Sequence, residues 1–119
     1  MRAILKSMWV DSADIKLEQY FPDDSEFFGI WIEFKAGPEG GTSADDFRLF
    51  VCSPKWLKNK CGYEKVPLGQ NMLIIDLYNL RVIKNEIKRL VENCTGEKWA
   101  DVAREIACFA FWEFEDYHQ

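Results

Sequence analysis

At 119 residues, 48% hydrophobic and 15% aromatic, the chain has the material for one folded domain with a single core and lacks the polar composition of a disordered segment. A formal charge of −5 argues against nucleic acid or an anionic membrane surface as the direct partner, since phosphate binding needs a basic face. No apolar run approaches the roughly 18 residues of a membrane span.

Residues 3–10 read as a first strand, with Ile4, Leu5, Trp9 and Val10 ahead of an Asp-Ser break. The stretch 11–26 is irregular, with a short helical or extended piece before Pro22 and a turn at Pro22-Asp23-Asp24-Ser25. It carries six acids (Asp11, Asp14, Glu18, Asp23, Asp24, Glu26) against the single base Lys16. Such an acidic pole suits a basic partner and speeds its capture, although a solvated acidic loop also serves solubility alone.

Residues 27–35 form the clearest strand. Phe28, Ile30, Ile32 and Phe34 alternate onto a core face, leaving Phe27, Trp31, Glu33 and Lys35 on the other. A glycine-rich hairpin loop over 36–44 leads to a strand over 46–52, with Phe47, Leu49 and Val51 inward and Arg48, Phe50 and Cys52 outward. Pairing these strands brings Trp31 and Phe50 onto one outer face as neighbours. Ser53 caps a short helix that has Pro54 at its first position and stops at Cys61-Gly62. A second loop covers 61–71.

The run 72–78 is almost continuously hydrophobic and predicts a central or well-covered strand. Asn79 caps a helix whose stripe is Leu80, Ile83, Ile87, Leu90, Val91 and Cys94. After Gly96, a second helix repeats the spacing with Trp99, Val102, Ala103, Ile106 and Phe109. One further turn would place Glu113 on the apolar face, so this helix is expected to end near Ala110. The closing segment Phe111-Trp112-Glu113-Phe114-Glu115-Asp116-Tyr117 is expected to be extended or turn-like and docked, with Trp112 and Phe114 inward and Glu113 and Glu115 at an edge. Strands first and long helices last predict an α+β fold for one domain over 1–119. Its mostly antiparallel sheet has about four strands, and the two C-terminal helices pack on one face.

No catalytic constellation emerges. The only histidine is His118, and no phosphate-binding glycine loop, zinc-protease motif or calcium loop is present. Cys52, Cys61, Cys94 and Cys108 are widely spaced without a metal-ligand pattern, so reduced thiols in the cytoplasm are the simplest reading. Met1 to Lys6 lacks the apolar run of a secretion signal. Glu113, Glu115 and Asp116 leave one enzymatic alternative, a small acidic enzyme or metal-binding protein. An adaptor for a basic protein is another.

The segments Cys52-Ser53-Pro54-Lys55-Trp56-Leu57, Leu73-Ile74-Ile75 before Asn79, Cys94-Thr95-Gly96 followed by Trp99, and above all Trp112-Glu113-Phe114-Glu115-Asp116-Tyr117 resemble the immunity protein 8 family of bacterial polymorphic toxin systems. The resemblance implies a cytoplasmic α+β protein, encoded beside a toxin gene, that binds and neutralises the cognate toxin domain without catalysis or cofactor. On this reading the contact surface is expected at Asp23, Asp24 and Glu26, at the outer residues Trp31 and Phe50, and at Glu113, Glu115 and Asp116. These are acids and aromatics of the kind that suit a basic partner.

Overall fold

The computed structural model describes residues 1–10, 15–61 and 69–114. The alternation in the two central strands sets its frame. Strand β2 (Gly29–Pro38) pairs antiparallel with β3 (Asp45–Cys52), Trp31 opposite Phe50 and Phe34 opposite Phe47. Phe28, Ile30, Ile32 and Phe34 are buried on one face with Phe47, Leu49 and Val51. The Phe34 and Phe47 rings stack across the ladder, 5.4 Å between centroids.

Strand β1 (Ala3–Val10) pairs antiparallel with the other edge of β2, with a bulge between Leu5 and Ser7. Because Ala3 to Leu5 pair with Ala36 to Pro38, β2 runs further than the sequence suggests and the hairpin loop is shorter than 36–44. That turn is also pinned. Lys6, at the bulge, donates from Nζ to the carbonyls of Gly41 (2.8 Å) and Ser43 (3.0 Å). The chain packs tightly here, since a Cβ on Gly37 would sit 2.1 Å from the Ser43 carbonyl oxygen.

Ser53 Oγ accepts from the Trp56 amide, starting α1 (Pro54–Cys61) as expected for an N-cap followed by proline. The expected 61–71 loop falls largely outside the described residues. Strand β4 (Met72–Ile74) then lies parallel to β3 as a short edge strand, which corrects the expectation of a central strand over 72–78. Asp76 cannot enter an apolar ladder, and the chain turns away so that the Tyr78 amide donates to the Ser25 carbonyl at 2.8 Å. Ile74 and Leu77 are left half-exposed.

Asn79 Oδ1 accepts from the Val82 amide and caps α2 (Leu80–Glu92). Its stripe buries Ile83, Ile87 and Val91 completely, and α3 (Trp99–Ile106) adds Val102, Ala103 and Ile106 to the same cluster. The two helices therefore share the core face of a mostly antiparallel sheet, giving an α+β fold. Cys94 closes the α2 stripe, and burial pushes its thiol up to about 11. Helix α3 ends at Ile106, somewhat before Ala110, and the following residues turn into β5 (Phe111–Trp112).

Strand β5 pairs antiparallel with Phe47 and Arg48, so β4 and β5 together cover one edge of β3, end to end. Trp112 packs on Phe47 from the core side. Its indole and that of Trp99 both donate to Asp45 Oδ2, at 3.1 and 2.8 Å, tying β5 and α3 to the start of β3. Phe114 meets Trp112 edge-on but stays 39% exposed, so it is less inward than its partner.

Candidate functional site

Helices α2 and α3 cover one face of the sheet, and the opposite face carries most of the residues with binding chemistry. The register places Trp9, Trp31, Glu33, Lys35, Asp46, Arg48 and Phe50 on this outer face, with Phe111 beside Arg48. Its centre is aromatic. Trp31 and Phe50 lie 5.0 Å apart, as their predicted adjacency requires, and Trp56 of α1 lies 4.9 Å from Phe50. Trp56 seats over Gly29, where a Cβ would come 2.4 Å from the indole. Helix α1 thus covers one end of this face. Phe50 is only 9% exposed beneath these rings, where it supports Trp31 and Trp56.

The other end is charged. The Arg48 guanidinium lies over Trp31 at 4.7 Å and over Phe111 at 5.8 Å, two cation–π contacts that hold it on the surface. Lys35 pairs with Asp46 at 3.0 Å, which holds its ammonium above the usual lysine range. Glu113 exchanges two bonds with Asp46: its carboxylate accepts from the Asp46 amide at 2.8 Å and its own amide donates to the Asp46 carbonyl at 3.1 Å. Glu113 is therefore a structural extension of the β3–β5 pairing as well as an exposed acid. Beside it opens a groove of about 480 Å³ lined by Glu33, Asp46, Arg48, Phe111 and Glu113.

Asp23, Asp24 and Glu26 are exposed at the Gly29 end of the sheet. Asp24 Oδ1 accepts from the Glu26 amide, and Glu26 pairs with Lys55 of α1 at 2.6 Å. That pairing raises the Lys55 pKa, through the hydrogen bond first and the charge second. At about 3.3 Å per residue, the six positions from Gly29 to Lys35 separate this acidic loop from Glu113 by about 20 Å. Glu26, through Lys55 of α1, and Glu113, through Asp46, thus stand toward opposite ends of β3, with the aromatic strip between them. Glu115 and Asp116 lie outside the described residues.

Arg48, Trp56, Phe111 and Asp46 were not anticipated as site residues. A period-two reading from Phe50 marks Arg48 and Asp46 as outward, but only the strand register reveals that Phe111 lies across from Arg48. Among the described residues no cluster of three or more His, Cys, Asp or Glu side chains could hold a metal ion. Nor is any described helix long and apolar enough to cross a membrane.

These features define a small α+β domain whose sheet presents one open aromatic and charged face. The family profile of Immunity protein 8 matches residues 3–117. The chain belongs to the Immunity protein 8 family, and so to a class of proteins that bind a toxin partner. No curated protein and no solved structure matches it.

Proposed function

We propose that the chain neutralises a cognate toxin domain in the cytoplasm by covering it with an acidic, partly aromatic surface. The match over residues 3–117 carries the class of function. The placement of the acids supports the surface: Asp23, Asp24 and Glu26 are exposed in the loop that leads into β2, Glu26 pairs with Lys55 of α1, and Glu113 meets the start of β3, with Trp31 and Arg48 on the face between α1 and Glu113. Aromatic rings and arginine held by neighbours are the residue types that dominate binding energies, and flanking carboxylates steer a basic partner. A toxin that cleaves nucleic acid supplies such a partner, because its active site attracts phosphate. Inhibition by this route needs occupancy and no chemistry.

Co-expression with the toxin encoded beside it is the test. The wild-type chain should restore growth and co-purify with the toxin domain. Charge reversal at Asp23 and Asp24 together, in protein that melts like wild type, should slow association and weaken rescue. Absence of rescue by the wild-type chain would sink the immunity reading. Unchanged neutralisation by the reversed protein would remove these acids from the surface.

A further inference from the structure

Four large apolar side chains stay exposed on two segments that the fold brings together, the loop before β2 and the end of β4 with the turn after it: Phe21 (76% exposed), Phe27 (37%), Ile74 (50%) and Leu77 (51%). The segments meet through Tyr78. Its amide donates to the Ser25 carbonyl at 2.8 Å, its hydroxyl to the Tyr20 carbonyl at 3.3 Å, and its ring lies 5.5 Å from Tyr20 and 5.3 Å from Phe28. Ile74 reaches the same corner through β3, because Cys52 pairs with Gly29 on one side and with Ile74 on the other. The apolar side chains are thus carried on a backbone already held in place, which lowers the ordering cost of burying them against another surface.

The charges around them are mainly acidic. Residues 16–28 and 71–81 contain Glu18, Asp23, Asp24, Glu26 and Asp76 against Lys16 and Arg81. Glu18 and Glu26 are met by Lys84 and Lys55 from the helices. Among the described residues Asp23 and Asp76 join no ion pair, while Asp24 lies within electrostatic reach of Lys55. An apolar patch edged by the carboxylates of Asp23 and Asp76 complements a segment with an apolar centre and basic flanks. A second copy of the same patch would bring carboxylates against carboxylates.

We infer that the corner formed by Phe21, Ile74 and Leu77 with Asp23, Asp24 and Asp76 is the energetic centre of the toxin contact, seating an apolar segment of the toxin flanked by lysine or arginine. The inference rests on the immunity reading above. It differs from that reading in placing the hot spot at this corner and not on the Trp31–Arg48 strip. Apolar anchors at the centre and charges at the rim divide the work: the anchors slow dissociation, the carboxylates speed encounter.

The test uses the full chain and the toxin domain whose killing it suppresses, with binding followed by calorimetry and stopped-flow at two salt concentrations. Phe21→Ser with Leu77→Ser removes two solvent-exposed anchors of the patch and should leave the melting temperature close to wild type. It should weaken binding about thirtyfold or more, mainly through faster dissociation. Asp23→Lys with Asp76→Lys should slow association and flatten its salt dependence. Trp31→Ala should weaken binding less than the Phe21/Leu77 pair. Binding within twofold of wild type for the Phe21/Leu77 variant, together with a large loss for Trp31→Ala, would overturn the corner while leaving the immunity function intact. A wild-type chain that binds no toxin domain would overturn both. A wild-type dimer that the Phe21/Leu77 variant splits would assign the corner to self-association instead.

Discussion

Replacing Asp45 by alanine should loosen the junction of β3, β5 and α3. One carboxylate oxygen accepts both indole N–H groups, from Trp99 at 2.8 Å and Trp112 at 3.1 Å. A hydrogen bond to a charged acceptor contributes about 1.5–3 kcal/mol when sheltered. Both indoles are half-buried, so water can meet them in part after the change. The expected cost is therefore about 2 kcal/mol in total, below the sum of two sheltered bonds. For a chain of this size that corresponds to a fall in Tm of about 6–10 °C. Asp45→Asn keeps an oxygen acceptor and loses only the charge, so it should cost about half as much. Urea unfolding reads both, as a lower midpoint at unchanged m-value. Stability of Asp45→Ala within about 0.5 kcal/mol of wild type would refute the reasoning, since that is the ordinary scatter of an exposed substitution.

Two further outcomes follow from the packing and the ionisation. Gly29→Ala forces the Trp56 indole off its seat and should cost about 1–3 kcal/mol by overpacking, with a changed near-ultraviolet circular dichroism. The cost should shrink in a Trp56→Leu background, and an equal cost there would disprove the clash. Tyr78 is pushed up to about 12 from 10.0, by burial first and by the charges of Tyr20 and Glu18 after it. Its phenol is thus favoured neutral in the folded chain, so its contribution is complete below pH 10 and fades as pH rises toward 12. Tyr78→Phe should flatten that part of the stability profile, and an unchanged slope would disprove the assignment.

What was legible in the sequence followed from period and caps. Phe28, Ile30, Ile32 and Phe34 define their own face whatever surrounds them, and Ser53 and Asn79 stand where helix starts need a side-chain acceptor. The adjacency of Trp31 and Phe50 follows from joining two such strands. Coverage was harder to read. Phe50 points outward by its phase, yet Trp56 arrives from a helix whose seat depends on the missing side chain of Gly29. The run from Met72 to Leu77 has the hydrophobicity of a central strand, but β5 takes up part of the same β3 edge, and Tyr78 draws the chain toward Ser25. The acids of the candidate surface were visible as charge. Their partners, Lys55 for Glu26 and the backbone amide of Asp46 for Glu113, come from other elements, and only the fold shows which acids are already spoken for.

The way the sheet ends bears on how the protein behaves when crowded. The long edge of β3 is closed by two pieces of three and two residues, and β1 meets backbone at both ends of its free side, through Arg2 with Thr95 and Trp9 with Lys16. A bulge carrying Lys6 interrupts the stretch between. No described edge offers the flat, unbroken row of amides and carbonyls that templates strand-by-strand association. Sticky encounters at high concentration are left to side-chain surfaces alone, where like charges on neighbouring molecules oppose them.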